Sequence, residues 1–187
     1  MSRVRCFVAA DLSPEARDDL GRLQGRLRAR GVECRWVTPA AVHLTLKFLG
    51  EVEPETFGAL REALERPLGL GGPLQLAAAG VGAFPSPQRA RVLWAGVDGD
   101  VAPLARAALE VEARAEPLGI AREARRFRAH LTLGRARGPS GIRGASEALE
   151  DEAHYRGPPF TVGALVLYES RLRPGGPEYV PQATIPL

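Results

Sequence analysis

The sequence predicts an α+β protein with two related lobes, whose antiparallel sheets face a central cleft and whose helices lie on the outside. Segments typical of strands and of helices alternate along the 187 residues. The tetrapeptide HLTL stands at residues 43–46 and again at 130–133, about half the chain apart. Each copy follows a long helical segment and precedes another helix. We therefore expect one bilobal domain over residues 1–187 that arose by internal duplication, with one continuous unduplicated sheet as the alternative.

The first two elements have clear sequence signals. Residues 3–10 form a short apolar run with β-branched members, which favours a buried strand. Ser13 and Pro14 suit the N-cap and the first position of a helix, because serine accepts a hydrogen bond from a backbone N–H and proline needs no donor there. Gly31 suits the end of that helix.

The remaining elements follow from the same periodicities, with glycine and proline marking the turns. Residues 68–73 and 84–89 are predicted loops, 173–177 is a predicted turn, and 120–126 stays without an assignment. The predicted strands are 33–37, 42–49, 74–83, 90–97, 127–135, 160–169 and 178–184. The predicted helices are 54–67, 101–117 and 141–153.

The composition is that of an ordinary globular protein, with 45% hydrophobic and 25% charged residues. No apolar run approaches the ~20 residues that span a bilayer, and the N-terminus is a poor signal peptide, so we expect a cytoplasmic protein. Cys6 and Cys34 lack the spacing of a metal site and are expected to be free thiols. The net charge of +3 permits an anionic ligand. We expect a monomer, since a duplication supplies two facing lobes within one chain.

The two HLTL segments place the same side chains on the same faces of two strands. Successive side chains in a strand point to opposite faces, so His43 and Thr45 share one face while the leucines beside them share the other. His130 and Thr132 have the same arrangement. The leucines are expected to pack beneath the helices, and the two histidines and two threonines are expected to face a common cleft.

Two histidines and two threonines suit the hydrolysis of a phosphodiester. That reaction needs a base to deprotonate water and an acid to protonate the leaving oxygen. Histidine, with an unperturbed pKa near 6.5, serves in either role at neutral pH. The threonine hydroxyls would donate to non-bridging phosphate oxygens. This chemistry requires no metal and no cofactor.

Two cations lie at matching positions beside the histidines. Lys47, the only lysine, is two residues beyond Thr45, and Arg128 is two residues before His130. In regular strands both would share the histidine faces, where they would balance phosphate charge. A solvated position on the protein surface is the alternative for each.

Five stretches of the chain resemble the two-histidine phosphoesterase superfamily, and within it the RNA 2′,3′-cyclic phosphodiesterases that were first called 2′-5′ RNA ligases. RCFVAADL resembles the opening strand, and LYESRLRPGGPEY resembles the closing hairpin. WVTPAAVHLTLKFLGEV and FRAHLTLGRAR resemble the two motif blocks, and GVGAFPSPQRARVLWAGV resembles the middle hairpin. Ala129 departs from the family, which often has proline before the second histidine.

The resemblance implies a bilobal α+β fold and the metal-independent hydrolysis of a terminal RNA 2′,3′-cyclic phosphate to a 2′-phosphate. It makes His43 the proton donor to the departing 3′ oxygen and His130 the proton acceptor that activates water. It makes Thr45 and Thr132 contacts of the phosphate. The expected partner is an RNA with a 2′,3′-cyclic phosphate end, such as a tRNA fragment, or a nucleotide. Joining of RNA ends through a 2′-5′ bond is the reverse reaction.

Two other functions stay open on the sequence. One is a phosphodiesterase of a small cyclic nucleotide, which keeps the chemistry and changes the substrate. The other is a non-catalytic module that binds RNA ends and uses its histidines only to hold phosphate. A metal site formed by His43, His130 and His154 is disfavoured, because no acidic residue near them has ligand spacing.

Overall fold

A computed structural model describes residues 3–174 and 176–187. Nine strands and four α-helices alternate along this part of the chain. The strands are β1 Val4–Ala10, β2 Arg35–Trp36, β3 Leu44–Val52, β4 Leu74–Phe84, β5 Val92–Gly99, β6 His130–Arg135, β7 Arg156–Val162, β8 Ala164–Arg173 and β9 Gly176–Pro186. The helices are α1 Pro14–Ala29, α2 Pro54–Leu64, α3 Val101–Ala115 and α4 Ala145–Asp151.

The nine strands form one curled antiparallel sheet. Its main path runs β7-β4-β5-β6-β3-β1-β8-β9, and the two-residue strand β2 pairs with β6. The predicted α+β class with antiparallel strands is confirmed. The strands of the two predicted lobes join at β6 and β3, so the sheet continues from one lobe into the other.

The order of the strands is symmetric about the junction of β6 and β3. On one side lie β5, β4 and β7, and on the other lie β1, β8 and β9. β4, from the first half of the chain, lies on the β6 side of this junction. β8, from the second half, lies on the β3 side. An internal duplication would produce such an exchange of strands, and the duplication stays a prediction.

The first helix begins as its sequence signals predict. The Ser13 side chain accepts a hydrogen bond from the backbone N–H of Ala16 at 3.2 Å, and Pro14 is the first helical residue. The helix ends at Ala29, and Gly31 follows with φ of 82°, a conformation that glycine adopts at little cost. The cap fixes where α1 starts and therefore which of its faces meets the sheet.

The helices cover the leucine face of the sheet. α3 packs on β3 and β4, while α1 packs on β7. Burial of a leucine side chain is worth about 1.5–3 kcal/mol, so this layer supplies much of the stability. Its fully buried leucines include Leu20, Leu23, Leu27, Leu44, Leu60, Leu64, Leu76, Leu93, Leu104, Leu131, Leu133, Leu165 and Leu167. No helix in the described ranges is long and apolar enough to cross a membrane.

The prediction of a single strand over residues 160–169 is wrong, because two strands meet there. β7 ends at Val162 and β8 begins at Ala164, and the chain passes between them from one side of the sheet to the other. Pro158 and Pro159 obscure β7 in the sequence. β7 is nevertheless an edge strand, where the nitrogen of a proline can face away from the neighbouring strand, so that its lack of an N–H removes no hydrogen bond of the sheet.

Other differences concern where elements begin. The predicted helix over 141–153 starts only at Ala145, because Gly144 has φ of 71°, which is outside the helical region. A Cβ at Gly144 would lie 2.8 Å from the Gly31 carbonyl oxygen, so glycine is required there. The predicted strand over 127–135 starts only at His130. In the predicted turn over 173–177, Gly175 lies outside the described residues.

The leucine layer gives a test of stability on α3, where two leucines differ in burial. Leu104 is fully buried, whereas Leu109 is 65% exposed. Leu104→Ala should lower the free energy of unfolding by about 2–5 kcal/mol, because it leaves a cavity in the layer. Leu109→Ala, the matched control, should change it by less than about 0.5 kcal/mol. Urea denaturation measures both, and equal losses would contradict this packing.

Candidate active site

The two HLTL segments lie side by side at the centre of the sheet. Leu44 and Leu131 are direct partners in the antiparallel pair of β3 and β6, and both are fully buried on the helix face. Continuing this register by one residue in each direction sets each histidine opposite the threonine of the other strand. The histidines are then diagonal neighbours, at a separation of about 7–8 Å. As predicted, the leucines face the core and the polar side chains share the other face.

Each histidine is held by the same hydrogen bond. The Nδ1 atom of His43 donates to the Ala41 carbonyl oxygen at 2.9 Å, and the Nδ1 atom of His130 donates to the Arg128 carbonyl oxygen at 2.7 Å. A carbonyl oxygen only accepts, so Nδ1 carries the hydrogen in both rings. Nε2, the other ring nitrogen, therefore accepts a proton when the ring is neutral and donates one when the ring is charged.

The surroundings of His43 are aromatic. Its ring stacks on Phe7, with centroids 4.7 Å apart, and meets the edge of Tyr179 at 5.0 Å. Tyr168 stacks on the far side of this group, 5.4 Å from Phe7. The Tyr168 hydroxyl donates to Asp11 at 2.7 Å, and Asp11 also accepts from Arg17 at 3.1 Å. A carboxylate is thereby fixed beside the group of rings that holds His43.

The surroundings of His130 are aromatic and cationic. Its ring meets Phe84 edge-on at 5.2 Å, and Phe84 packs against Trp94 at 5.3 Å. The Arg128 guanidinium lies over both of these rings, at 5.5 Å and 5.7 Å from their centroids. Gly82 leaves room for the indole of Trp94, because a Cβ at Gly82 would collide with that ring.

These surroundings act on the protonation of the two imidazoles. Burial lowers the pKa of His43 and of His130 below the ordinary 6.5. For His43 the Asp11 carboxylate acts in the opposite direction and raises the pKa, while Arg17 and Arg135 lower it. The charged side chains that act on His130 are arginines, Arg135 and Arg128, which lower its pKa further. The two rings therefore share a geometry and differ in charge environment.

Each motif strand contains a β-bulge at the second leucine of HLTL. The extra residue is Leu46 in β3 and Leu133 in β6, as the registers with β1 and β5 show. A bulge reverses the alternation of side chains for the residues that follow it. Lys47 and Gly134, the next residues, therefore point to the helix face, and the residues after them point to the cleft.

The expectation that Lys47 shares the His43 face is wrong, because it assumed a regular strand. Lys47 is only 4% exposed, and its Nζ atom donates to Glu112 of α3 at 2.6 Å. A cation held on the helix face cannot reach a phosphate in the cleft. Arg128 does lie on the His130 face, over Phe84, and its contact with substrate stays a prediction.

The sequence did not identify two residues of the cleft, Arg135 and Phe48. Arg135 is exposed, and its charge acts on both His43 and His130. Phe48 is 62% exposed and lies with its ring 6.1 Å from Phe7, on the His43 side. Both stand five positions after a motif histidine. The shared offset is the sequence signal that could have indicated these two residues. A regular strand would place them on the helix face, and the bulges direct their side chains into the cleft.

Two cavities lie away from the histidines. One of about 560 Å³ is lined by Cys34, Trp36 and Arg143, and one of about 380 Å³ lies between α3 and Phe127. His154 lies in the exposed turn after α4. Within residues 3–174 and 176–187, no group of three or more His, Cys, Asp or Glu is placed to hold a metal ion. The site is therefore identified by its chemistry and not by cavity size.

Known proteins resemble this chain over most of its length. The family model described as LigT-like phosphoesterase matches residues 11–94 and 97–179. A curated relative from Methanothermobacter thermautotrophicus, named RNA 2′,3′-cyclic phosphodiesterase, is 31% identical over 95% of both chains. The apo crystal structure of E. coli LigT superimposes with a TM-score of 0.78 at 26% identity, covering 100% of this chain and 99% of that one. Its complex with 3′-AMP gives 0.76 at 26% identity and the same coverage.

The charge environments predict how the histidines titrate. Both should become protonated below pH 6.5, since burial lowers both pKa values. The folded protein then binds fewer protons than the unfolded chain, so its free energy of unfolding should fall as the pH drops below 6.5. Asp11→Asn should lower the pKa of His43 further and leave His130 unchanged. NMR titration of the ring signals measures this, and equal shifts of both rings would contradict it.

Proposed function

Because the chain belongs to the LigT-like phosphoesterase family, we propose that it hydrolyses the 2′,3′-cyclic phosphate at the end of an RNA to a 2′-phosphate. One observation carries the proposal. His43 directly precedes β3 and His130 begins the adjacent strand β6, and each is fixed by an Nδ1–carbonyl bond that directs Nε2 away from the backbone. Two such nitrogens facing one cleft provide an acid and a base on either side of a phosphate.

The proposed reaction balances without a cofactor. Nε2 of His130 takes a proton from water, and the water oxygen attacks the phosphorus. The bond from phosphorus to the 3′ oxygen breaks, and that oxygen receives the proton of Nε2 of His43. The products are a 2′-phosphate and a 3′-hydroxyl. Exchange with solvent returns each ring to its starting state.

The division of roles has support in the charges. An acid must carry its proton before the reaction, and Asp11 favours the protonated form of His43, opposed by Arg17 and Arg135. A base must be neutral, and Arg135 and Arg128 favour the neutral form of His130. The assignment of His43 as proton donor and His130 as proton acceptor therefore agrees with the surroundings of each ring.

The phosphate itself would be held by groups between the rings. The hydroxyls of Thr45 and Thr132 lie on the same strands and the same face as the histidines, and they would donate to non-bridging oxygens. Arg135 would add a positive charge that does not vary with pH, because a guanidinium is always protonated. Arg128 would act from the His130 side. The exposed ring of Phe48 offers a face for a base beside the His43 side of the cleft.

The substrate class has a second candidate. E. coli LigT has been crystallised in complex with 3′-AMP, so that relative binds a mononucleotide. A small cyclic nucleotide would use the same two histidines here. The reverse reaction, a 2′-5′ joining of RNA ends, would use them too, but the high concentration of water favours hydrolysis.

We also propose that the protein is a cytoplasmic monomer, in keeping with the free thiols of Cys6 and Cys34.

The proposed function predicts that both histidines are needed for turnover. The protein should convert an RNA with a 2′,3′-cyclic phosphate end into the 2′-phosphate in the presence of EDTA. His43→Ala and His130→Ala should each lower kcat by about 10²–10⁴-fold, because each removes one proton-transfer group. His154→Ala is the control, since His154 is exposed and outside the cleft. Chromatography of the RNA products, with thermal unfolding of each variant, measures both effects.

Several outcomes would overturn the proposal. Near-wild-type turnover of either motif variant would exclude the two-histidine mechanism. Binding of the RNA end without any product would leave only a binding module. A 3′-phosphate product would reverse the assignment of the leaving oxygen. Turnover of 2′,3′-cyclic AMP alone, with the RNA unchanged, would favour the small-nucleotide alternative.

The same mechanism predicts an acidic pH optimum. The active form has one neutral and one protonated histidine, and both pKa values lie below 6.5. The profile of kcat/KM should therefore be bell-shaped with its maximum below pH 6.5, because this parameter reports the free protein. Asp11→Asn lowers the pKa of His43 and should move the alkaline limb to lower pH. A maximum well above pH 7 would contradict the burial of the two rings.

A further inference from the structure

Lys47 forms a buried ion pair that the proposed reaction does not use. Its side chain is only 2% exposed and that of its partner, Glu112, is 12% exposed. The Lys47 ammonium donates to one Glu112 oxygen at 2.6 Å and to the Ala121 carbonyl oxygen at 2.9 Å. Burial of two charges is costly and contributes little net stability, so this pair needs another explanation.

The ion pair holds the start of the loop that precedes His130. This loop, residues 120–129, has no helix or strand and is largely exposed. The second Glu112 oxygen accepts a hydrogen bond from the backbone N–H of Glu123 at 3.2 Å, which adds to the Lys47 bond with Ala121. Two backbone positions near the start of the loop are therefore fixed to α3 and β3.

The other end of the loop orients the second histidine. The Arg128 carbonyl is the oxygen that accepts the hydrogen bond of His130 Nδ1. Between the two ends, Phe127 packs against the core and lines a cavity together with Leu46. Leu46 is the bulged residue beside Lys47. Residues of the first HLTL strand therefore lie beside the loop whose end holds the histidine of the second.

His43 has no such requirement, which explains why the lysine occurs in one strand only. The Ala41 carbonyl that holds His43 belongs to a short 3₁₀ turn, Pro39–Ala41, and this turn packs directly on α1. In β6 the position after the bulge is Gly134, where any Cβ would collide with the Cys34 sulfur. An ordered turn supports one ring, and a loop fixed by an ion pair supports the other.

We propose that Lys47 and Glu112 are positioning residues for His130, acting through the 120–129 loop. The kinetic part of this inference rests on the proposed function, whereas its structural part does not. Release of the loop frees the Arg128 carbonyl, so the neutral ring of His130 loses its single tautomer. A base in the wrong tautomer presents a hydrogen to the water in place of a lone pair, and turnover falls.

The test replaces the pair without leaving a buried charge. In Lys47→Met/Glu112→Leu, apolar side chains of similar length fill the space, an exchange that often preserves or raises stability. We expect thermal stability close to that of the wild type, kcat lower by about 10–100-fold and KM within about twofold. Nitrogen-15 NMR above pH 7 should show His130 changing from the Nδ1–H form to a mixture of tautomers. His43 should keep its spectrum, and only three histidines need assignment.

The control replaces an ion pair elsewhere on the helix layer, in which the cation is more exposed, with 43% of the Arg26 side chain accessible. Arg26 of α1 donates two hydrogen bonds to Glu152, at 2.9 Å and 3.1 Å, and Glu152 is 8% exposed. Arg26→Met/Glu152→Leu should leave kcat and the His130 tautomer unchanged. A purely structural role of Lys47 and Glu112 would make the two double variants behave alike.

Each result decides the matter. A folded Lys47→Met/Glu112→Leu variant with wild-type kcat, or with an unchanged His130 spectrum, overturns the inference. If that variant does not fold, Glu112→Gln takes its place, since it keeps the shape and loses one of two acceptor oxygens. It should show the same changes at His130 to a smaller degree, and their absence overturns the inference. A wild-type protein without turnover would refute the proposed function, while the NMR comparison would still test the loop.

Discussion

The pairing of Leu44 with Leu131 is the contact on which the site depends. Both side chains are fully buried, so neither strand can shift by one residue without moving a leucine into water and a histidine into the core. The hydrophobic effect thereby fixes the register of β3 against β6. The positions of the two imidazoles and two hydroxyls follow from that register, and the catalytic geometry is a consequence of core packing.

A symmetric scaffold supports an asymmetric reaction. The two motifs share their buried leucines, their bulges and their Nδ1–carbonyl bonds. They differ in what surrounds them, since arginines act on both rings whereas a carboxylate, Asp11, acts on His43. Identical tetrapeptides therefore have different charge environments, because Asp11, far away in sequence, acts on His43.

Much of the fold was predictable, because periodicity and caps are local signals. Ser13, Pro14 and Gly31 delimit α1, and the alternation in HLTL placed His43 on the polar face. Features that depend on tertiary pairing were not predictable. β7 was hidden by Pro158 and Pro159, which only its edge position permits.

The candidate site shows the same limit. The histidines were readable because the motif occurs twice and alternation holds up to the second leucine. Lys47 was placed on the wrong face, and Arg135 was missed, because each follows a bulge that exists only when the strand meets its neighbour. The exchange of strands between halves has a related consequence during translation. Among the strands of the sheet β1 is synthesised first, yet its neighbour β8 is the second to last. Until β8 has been synthesised this side of β1 is an open edge that can pair with other chains, so the sheet can close only after β8 has emerged.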